Sequence, residues 1–364
     1  MNKSSQTNLS IKHILETAKA YFNKKDYDNA LTEYSKAIAV DTNNADSYYK
    51  RGTIYYAKGE VEKAIADFSK AIELEPNYDS AYYKLACAYD DKGELGKALK
   101  YYSKAIKLDS AYTDAYYNWA TVYEEKGELE KALKDYSRVI KLSPDSLGAY
   151  YSRGLIYQQT GELEKAIKDH NKVLNPDCAD CYTERGNLYR ANGELGKALK
   201  DYNKAIGLNP HYADAYYNRG IIYDDKGELG KALKDYNKAI ELNSNDADFY
   251  NSRGTLYGEK GKLEKALKDY NKAIELSPDD AIAYYNRGIT YEDKGKLKKA
   301  LGDYNKAIEL NPNYANAYYN RGLLYQQKGE IEEAIADFKK VVGINNDPDA
   351  YGLLSELGVK WVGL

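Results

Sequence analysis

Side chains that carry metal, nucleophilic and acid–base chemistry near neutral pH are scarce here, with three histidines and three cysteines in 364 residues. His13, His170 and His211 are scattered, and the sequence has no phosphate-cradling glycine loop, metalloprotease helix signature or nucleophile elbow. These absences exclude the enzyme classes that such motifs announce, and the expectation is a protein without catalysis, metal or cofactor. So few cysteines argue against a disulfide framework and fit a reducing compartment. No stretch approaches the ~18 apolar residues of a membrane span, and residues 1–10 hold no apolar run of signal-peptide length. A soluble, cytoplasmic protein is expected, with unconventional secretion as the alternative. Net charge is only −3, which gives no electrostatic case for nucleic acid, whose binders are strongly basic.

What the chain has in excess is tyrosine, 41 residues, together with 27 glycines. Gly220, Gly254, Gly288 and Gly322 recur every 34 residues, as do Tyr223, Tyr257, Tyr291 and Tyr325. With Ala213 as position 1, Tyr216, Gly220 and Tyr223 stand at 4, 8 and 11, and Ala232, Tyr236 and Ala239 at 20, 24 and 27. Each set follows i, i+4, i+7 and lines one helical face, so each unit predicts two amphipathic helices. Lys226 and Gly227 end the first helix, a cation near the negative dipole end followed by a residue suited to the left-handed conformation. Most tyrosines recur at positions 4, 5, 11 and 24, so their excess is repeated architecture. Alanine at 20 and Gly or Ala at 8 let two backbones approach while large rings fill the remaining space. One such hairpin cannot bury its apolar faces alone and must stack on neighbours.

An aromatic at 4, a small residue at 8, Tyr at 11, Ala at 20, an aromatic at 24, Ala at 27 and Pro at 32 resemble the tetratricopeptide repeat. The resemblance spans residues 11–348 as ten units: 11–44, 45–78, 79–112, 113–146, 147–178, 179–212, 213–246, 247–280, 281–314 and 315–348. It implies an all-α, right-handed superhelical solenoid of antiparallel helix pairs. Residues 1–10 then read as a polar N-terminal tail, and 349–364 as a capping helix. Trp361, Val362 and Leu364 make that end apolar enough to suggest self-association through it.

The resemblance also implies a protein–protein interaction scaffold or adaptor whose first helices line a concave groove with positions 2, 5, 6, 9, 12 and 13. Those positions place Tyr49, Tyr83, Tyr117, Tyr151, Tyr217, Tyr285 and Tyr319 beside Asn118, Asn218, Asn286 and Asn320. Acids join them at Asp90, Asp91, Glu124, Glu125, Asp224, Asp225, Glu292 and Asp293. A carboxamide donates to and accepts from a peptide backbone, and tyrosine offers stacking area with a polar tip. The expected partner is therefore a peptide or helical segment of another protein, basic or amide-rich by complementarity. A substrate-recruiting subunit for a separate enzyme and an exported bacterial effector are alternative roles. Lysines at 19, 22 and 26 of the second helices, such as Lys231, Lys234 and Lys238, read as a solvated face.

Two features stand apart from this scheme. Cys178-Ala-Asp-Cys181 follows the one irregular unit, where Leu174 runs directly into Asn175 and two residues are missing. The spacing suits half a zinc site or a redox pair, but zinc wants four ligands, and a small buried Cys181 at position 3 is the expected reading. Arginine at position 7 needs an acidic partner, and position 23 supplies one. Pairing each acid with the arginine of the next unit gives Glu33/Arg51, Asp135/Arg153, Asp169/Arg185, Asp201/Arg219, Asp235/Arg253, Asp269/Arg287 and Asp303/Arg321. Tyr101 with Trp119 fits the same register, which predicts ion pairs across the seams.

Overall fold

In a computed structural model, which describes residues 3–359 and their side chains from residue 11, all regular structure is helical. The chain divides after Val173 into two units. In the first, α1 (Lys3–Asn23) pairs with α2 (Tyr27–Val40), α3 (Ala45–Ala57) with α4 (Val61–Leu74), and α5 (Asp79–Asp91) with α6 (Leu95–Leu108). There too α7 (Thr113–Glu125) pairs with α8 (Leu129–Leu142), and α9 (Leu147–Gln159) with α10 (Leu163–Val173). In the second, α11 (Ala179–Ala191) pairs with α12 (Leu195–Leu208), α13 (Ala213–Asp225) with α14 (Leu229–Leu242), and α15 (Ala247–Glu259) with α16 (Leu263–Leu276). It continues with α17 (Ala281–Asp293) beside α18 (Leu297–Leu310), α19 (Ala315–Lys328) beside α20 (Ile331–Asn345), and a closing α21 (Pro348–Glu356).

These elements begin and end where the repeat chemistry places them. The glycine at position 15, Gly227 for example, adopts φ +70°, and its eight counterparts from Gly59 to Gly329 are also left-handed. Only Gly avoids the Cβ penalty there. The first repeat has Lys25 at that position, held at φ 60°. Position 20 is fully buried throughout, from Ala30 to Ala334. At position 8 a Cβ on Gly220 would stand 2.8 Å from the Tyr236 ring, so the absent side chain is what lets that ring lie across the helix pair.

Both ends differ from a plain array. Residues 3–10, expected as a tail, belong to α1. At the other end, Ala350 and Leu354 of α21 are buried against Phe338 and Val342 of α20, so this helix covers the last repeat. Trp361, Val362 and Leu364, on which the self-association reading rests, lie outside the described residues. The two-residue deletion leaves α10 with 11 residues where α8 and α14 have 14. His170 takes the place of the position-24 aromatic there, buried with its ring 5.9 Å from that of Tyr151.

The arginine pairs overturn the expected register. Every paired arginine bonds the position-23 aspartate of its own unit: Arg51–Asp67, Arg153–Asp169, Arg185–Asp201, Arg219–Asp235, Arg253–Asp269, Arg287–Asp303 and Arg321–Asp337. Each is a two-pronged contact in which Nε and Nη2 donate to the two carboxylate oxygens, at 2.7 and 2.8 Å in Arg219–Asp235. Glu33 instead pairs with Lys36 on its own helix. The physical reason is the hairpin itself, since positions 7 and 23 face each other across one helix pair, where the fork meets a carboxylate squarely. The acceptor these arginines reach across the seam is neutral: Nη1 donates to position 25 of the preceding unit, as in Arg219 to Asn203 at 2.6 Å and Arg51 to Ser35 at 3.3 Å. The tyrosines at positions 4 and 11 flank each guanidinium, as Tyr216 and Tyr223 do at 5.5 and 5.9 Å from Arg219.

Candidate partner-binding surface

Successive first helices touch one another within each unit, α3 with α5 and α5 with α7, then α11 with α13 and α15 with α17. A hydrogen-bond seam runs along that face from position 5 of one repeat to position 6 of the next. Asn118 donates to the Tyr83 hydroxyl at 3.1 Å, Asn286 to Asn251 at 3.2 Å and Asn320 to the Tyr285 hydroxyl at 3.2 Å. Tyr117 meets Ser152 at 3.4 Å and Tyr217 meets Ser252 at 3.1 Å. Three of the four expected groove asparagines thus spend a donor on the neighbouring helix. Asn218 instead donates to the Asp214 carbonyl of its own helix at 2.9 Å.

Most tyrosines of this face are half-buried, with a second ring packed beneath or beside them. Tyr83 lies 4.9 Å from Tyr112, Tyr285 4.9 Å from Tyr314, and Tyr217 4.7 Å from Phe249. Tyr319 packs on Phe338 at 6.1 Å, whereas Tyr151 stays 40% exposed. Sequence reading missed Tyr78, Tyr112 and Tyr314 at position 34; their own recurrence at the repeat spacing was the available signal. In the second and third repeats lysines lie against the same rings, Lys50 at 5.3 Å from Tyr49 and Lys84 at 5.4 Å from Tyr83.

The acids divide into two sets by position. At 12 they are anchored from below by the position-24 tyrosine, whose hydroxyl donates to Asp90 at 3.2 Å, Glu124 at 2.9 Å, Asp224 at 3.1 Å and Glu292 at 2.7 Å. Burial pushes the Asp90 carboxyl up to about 6 against the opposing Tyr102 hydrogen bond, and it raises Asp224 likewise. At 13, Asp91, Glu125, Asp225 and Asp293 are exposed. Tyr56 of the preceding repeat donates to Asp91. The second-helix lysines are partly neutralised, Lys238 by Glu241 and Lys272 by Glu275.

Cys178 and Cys181 form a disulfide with Cα atoms 5.3 Å apart, which corrects the expectation of a small buried Cys181. Both residues are half-buried, and Cys178 caps α11, its sulfur accepting the Cys181 N–H at 3.1 Å. A three-residue separation at a helix start brings the sulfurs together without a partner strand. No group of three or more potential ligands for a metal ion occurs among the described residues.

The tetratricopeptide-repeat model matches residues 18–59, 52–93, 88–127, 120–161, 186–225, 254–295 and 291–329, and two related repeat models match 213–246, 315–348 and 235–268. The chain belongs to the tetratricopeptide-repeat family. Tetratricopeptide-repeat proteins are interaction scaffolds, and this one is an all-α solenoid of that class. Among solved structures it is similar to yeast Tom70, with 16% identity over 96% of each chain and a TM-score of 0.52. It is also similar to YrrB, described as a TPR protein with an unusual peptide-binding site, at 28% identity over 53% of this chain and 97% of that one, with a TM-score of 0.42. MamA is similar at 27% identity over 47% of this chain and 96% of its own, with a TM-score of 0.40. No curated protein matches this tetratricopeptide-repeat chain. No described helix is long and apolar enough to cross a membrane.

Proposed function

We propose that the chain is a non-catalytic scaffold holding an extended peptide or a helix of a partner protein along its first helices. The observation that carries this reading is the pairing of exposed position-13 carboxylates with half-buried tyrosines and asparagines on one helical face. Asn118, Asn286 and Asn320 donate to the first helix of the preceding repeat, and among the described residues their side-chain amide oxygens accept no hydrogen bond. Those oxygens suit peptide N–H groups, the rings supply contact area at low entropic cost, and the acids favour basic or amide-rich segments.

The test is an array of extended peptides of matched length, lysine-rich, glutamine-rich and glutamate-rich, probed with the full chain. Basic and amide-rich peptides should bind, and the combined variant Asn218→Ala, Asp225→Asn, Asn286→Ala, Asp293→Asn should bind them about tenfold more weakly, ~1.4 kcal/mol. Its thermal melt should stay close to that of the parent. Equal capture of the glutamate-rich set, or unweakened binding by the variant, would remove the groove reading.

A further inference from the structure

The fourth repeat breaks the arginine pattern in only one of its two members. Repeat three has Leu85 and Tyr101 at positions 7 and 23, so both charges are gone. Repeat four has Trp119 at 7 but keeps Asp135 at 23. Asp135 is 7% exposed and has no hydrogen bond or ion pair among the described residues. The Trp119 Nε1–H is likewise buried without a partner. An unpaired acceptor and an unpaired donor therefore stand in one place, and leaving either unsatisfied costs stability.

They meet at a cleft of about 650 Å³ between α7 and α8, within the ~300–1,000 Å³ usual for small-molecule sites. Tyr116 and Tyr123 stand at the positions whose rings flank the guanidinium in the sister repeats, and the Trp119 ring lies 6.4 Å from Tyr116 and 5.6 Å from Tyr123, alongside both. Seven sister sites show what this niche accepts, a guanidinium held by both carboxylate oxygens between two tyrosines. Trp119 adds the best aromatic face for a cation.

The rim has changed as well. Repeats two, seven, eight and nine have a glutamate at position 29 that pairs with the position-26 lysine, as Glu73 does with Lys70. Here position 29 is Lys141 and position 26 is Arg138, which lies over Tyr116 at 5.8 Å and donates to the Ser110 carbonyl at 3.3 Å. With Lys134 these leave a cationic rim without its acid, beside a buried carboxylate. Such a site matches a molecule with a cation at one end and a carboxylate at the other.

We propose that the Trp119–Asp135 cleft binds a free guanidino carboxylate such as L-arginine, with its guanidinium on Asp135 and its carboxylate toward Lys134, Arg138 and Lys141. The ligand supplies the cation that this repeat lacks. The full chain carrying Trp361→Phe leaves Trp119 as the sole tryptophan, so its emission reports the cleft directly. L-arginine should change that emission saturably in the millimolar range or below, and L-citrulline and agmatine, each missing one charge, should bind at least about tenfold more weakly. Asp135→Asn should abolish the response. In a separate thermal-shift measurement, Trp119→Arg should raise the melting temperature without ligand and lose any further rise with L-arginine. An unsaturable response, an equal response to citrulline, or a ligand-dependent shift that survives in Trp119→Arg would overturn the assignment.

Discussion

Asp135 and Asp235 share a register position, yet only Asp235 faces a guanidinium. Burial without such a partner pushes the Asp135 carboxyl up to about 6 from its ordinary 3.8, a rise opposed only by the charge of Lys134. Between those values the folded chain holds a proton that the unfolded chain has released. Protonated Asp135 therefore favours folding in acid, and that contribution is lost as pH rises through about 6. Asp135→Asn should raise the unfolding midpoint at pH 7.5 by the equivalent of about 1–3 kcal/mol and change little at pH 4, checked by urea melts at both pH values. Asp235 should behave oppositely, since removing it strands a half-buried arginine at a cost of about 3–5 kcal/mol. Double-mutant cycles should find strong coupling of Asp235 to Arg219 and almost none to Arg253, measured by the same melts. The need for a partner and its position were legible in the sequence. The choice between the two registers was not, because separations of 16 residues within a unit and 18 across a seam both join position 7 to position 23, and the Tyr101 and Trp119 exchanges favoured the wrong one.

At the scale of the helix pair, the repeat pattern named its own boundaries. Gly227 ends α13 in the left-handed conformation expected of it, and Ala232 is buried where close packing requires a small side chain. The irregular pair was legible as a deletion, and its consequence is a second helix that stops at Val173 with three residues fewer than α14. Fewer backbone bonds leave a larger share of that helix in fraying ends. Amides of residues 165–173 should therefore exchange faster than those of α14 and α16, by roughly one to two orders of magnitude, in hydrogen–deuterium exchange followed by mass spectrometry. Uniform protection would mean that the deletion has been absorbed by packing. The disulfide beside it was one reading the CxxC spacing offered, as a redox pair, and it was set aside for a small buried Cys181. Cys181 sits where sister repeats have alanine, and alanine there reports size and nothing about the sulfur one turn earlier.

Across the whole chain, a strict 34-residue period made the fold readable, since ten copies of one pattern average away the ambiguity of any single helix. The first-helix face was readable only as a list of residue types. Position 5 to position 6 bonds, such as Tyr285 with Asn320, join side chains 35 residues apart, a distance one step off the repeat that no periodic pattern singles out. The self-contained arginine pairs carry one further consequence, for how such a chain can grow. Because each guanidinium and its carboxylate lie in the same repeat, duplicating or excising residues 213–246 adds or removes both partners together. After excision Arg253 would meet Asn203 in place of Asn237, and after duplication the second copy's Arg219 would meet Asn237, an identical acceptor at position 25 in each case. No arginine or aspartate of these pairs is stranded at the new junction, so unequal recombination between copies can lengthen or shorten the array without leaving a buried charge unpaired.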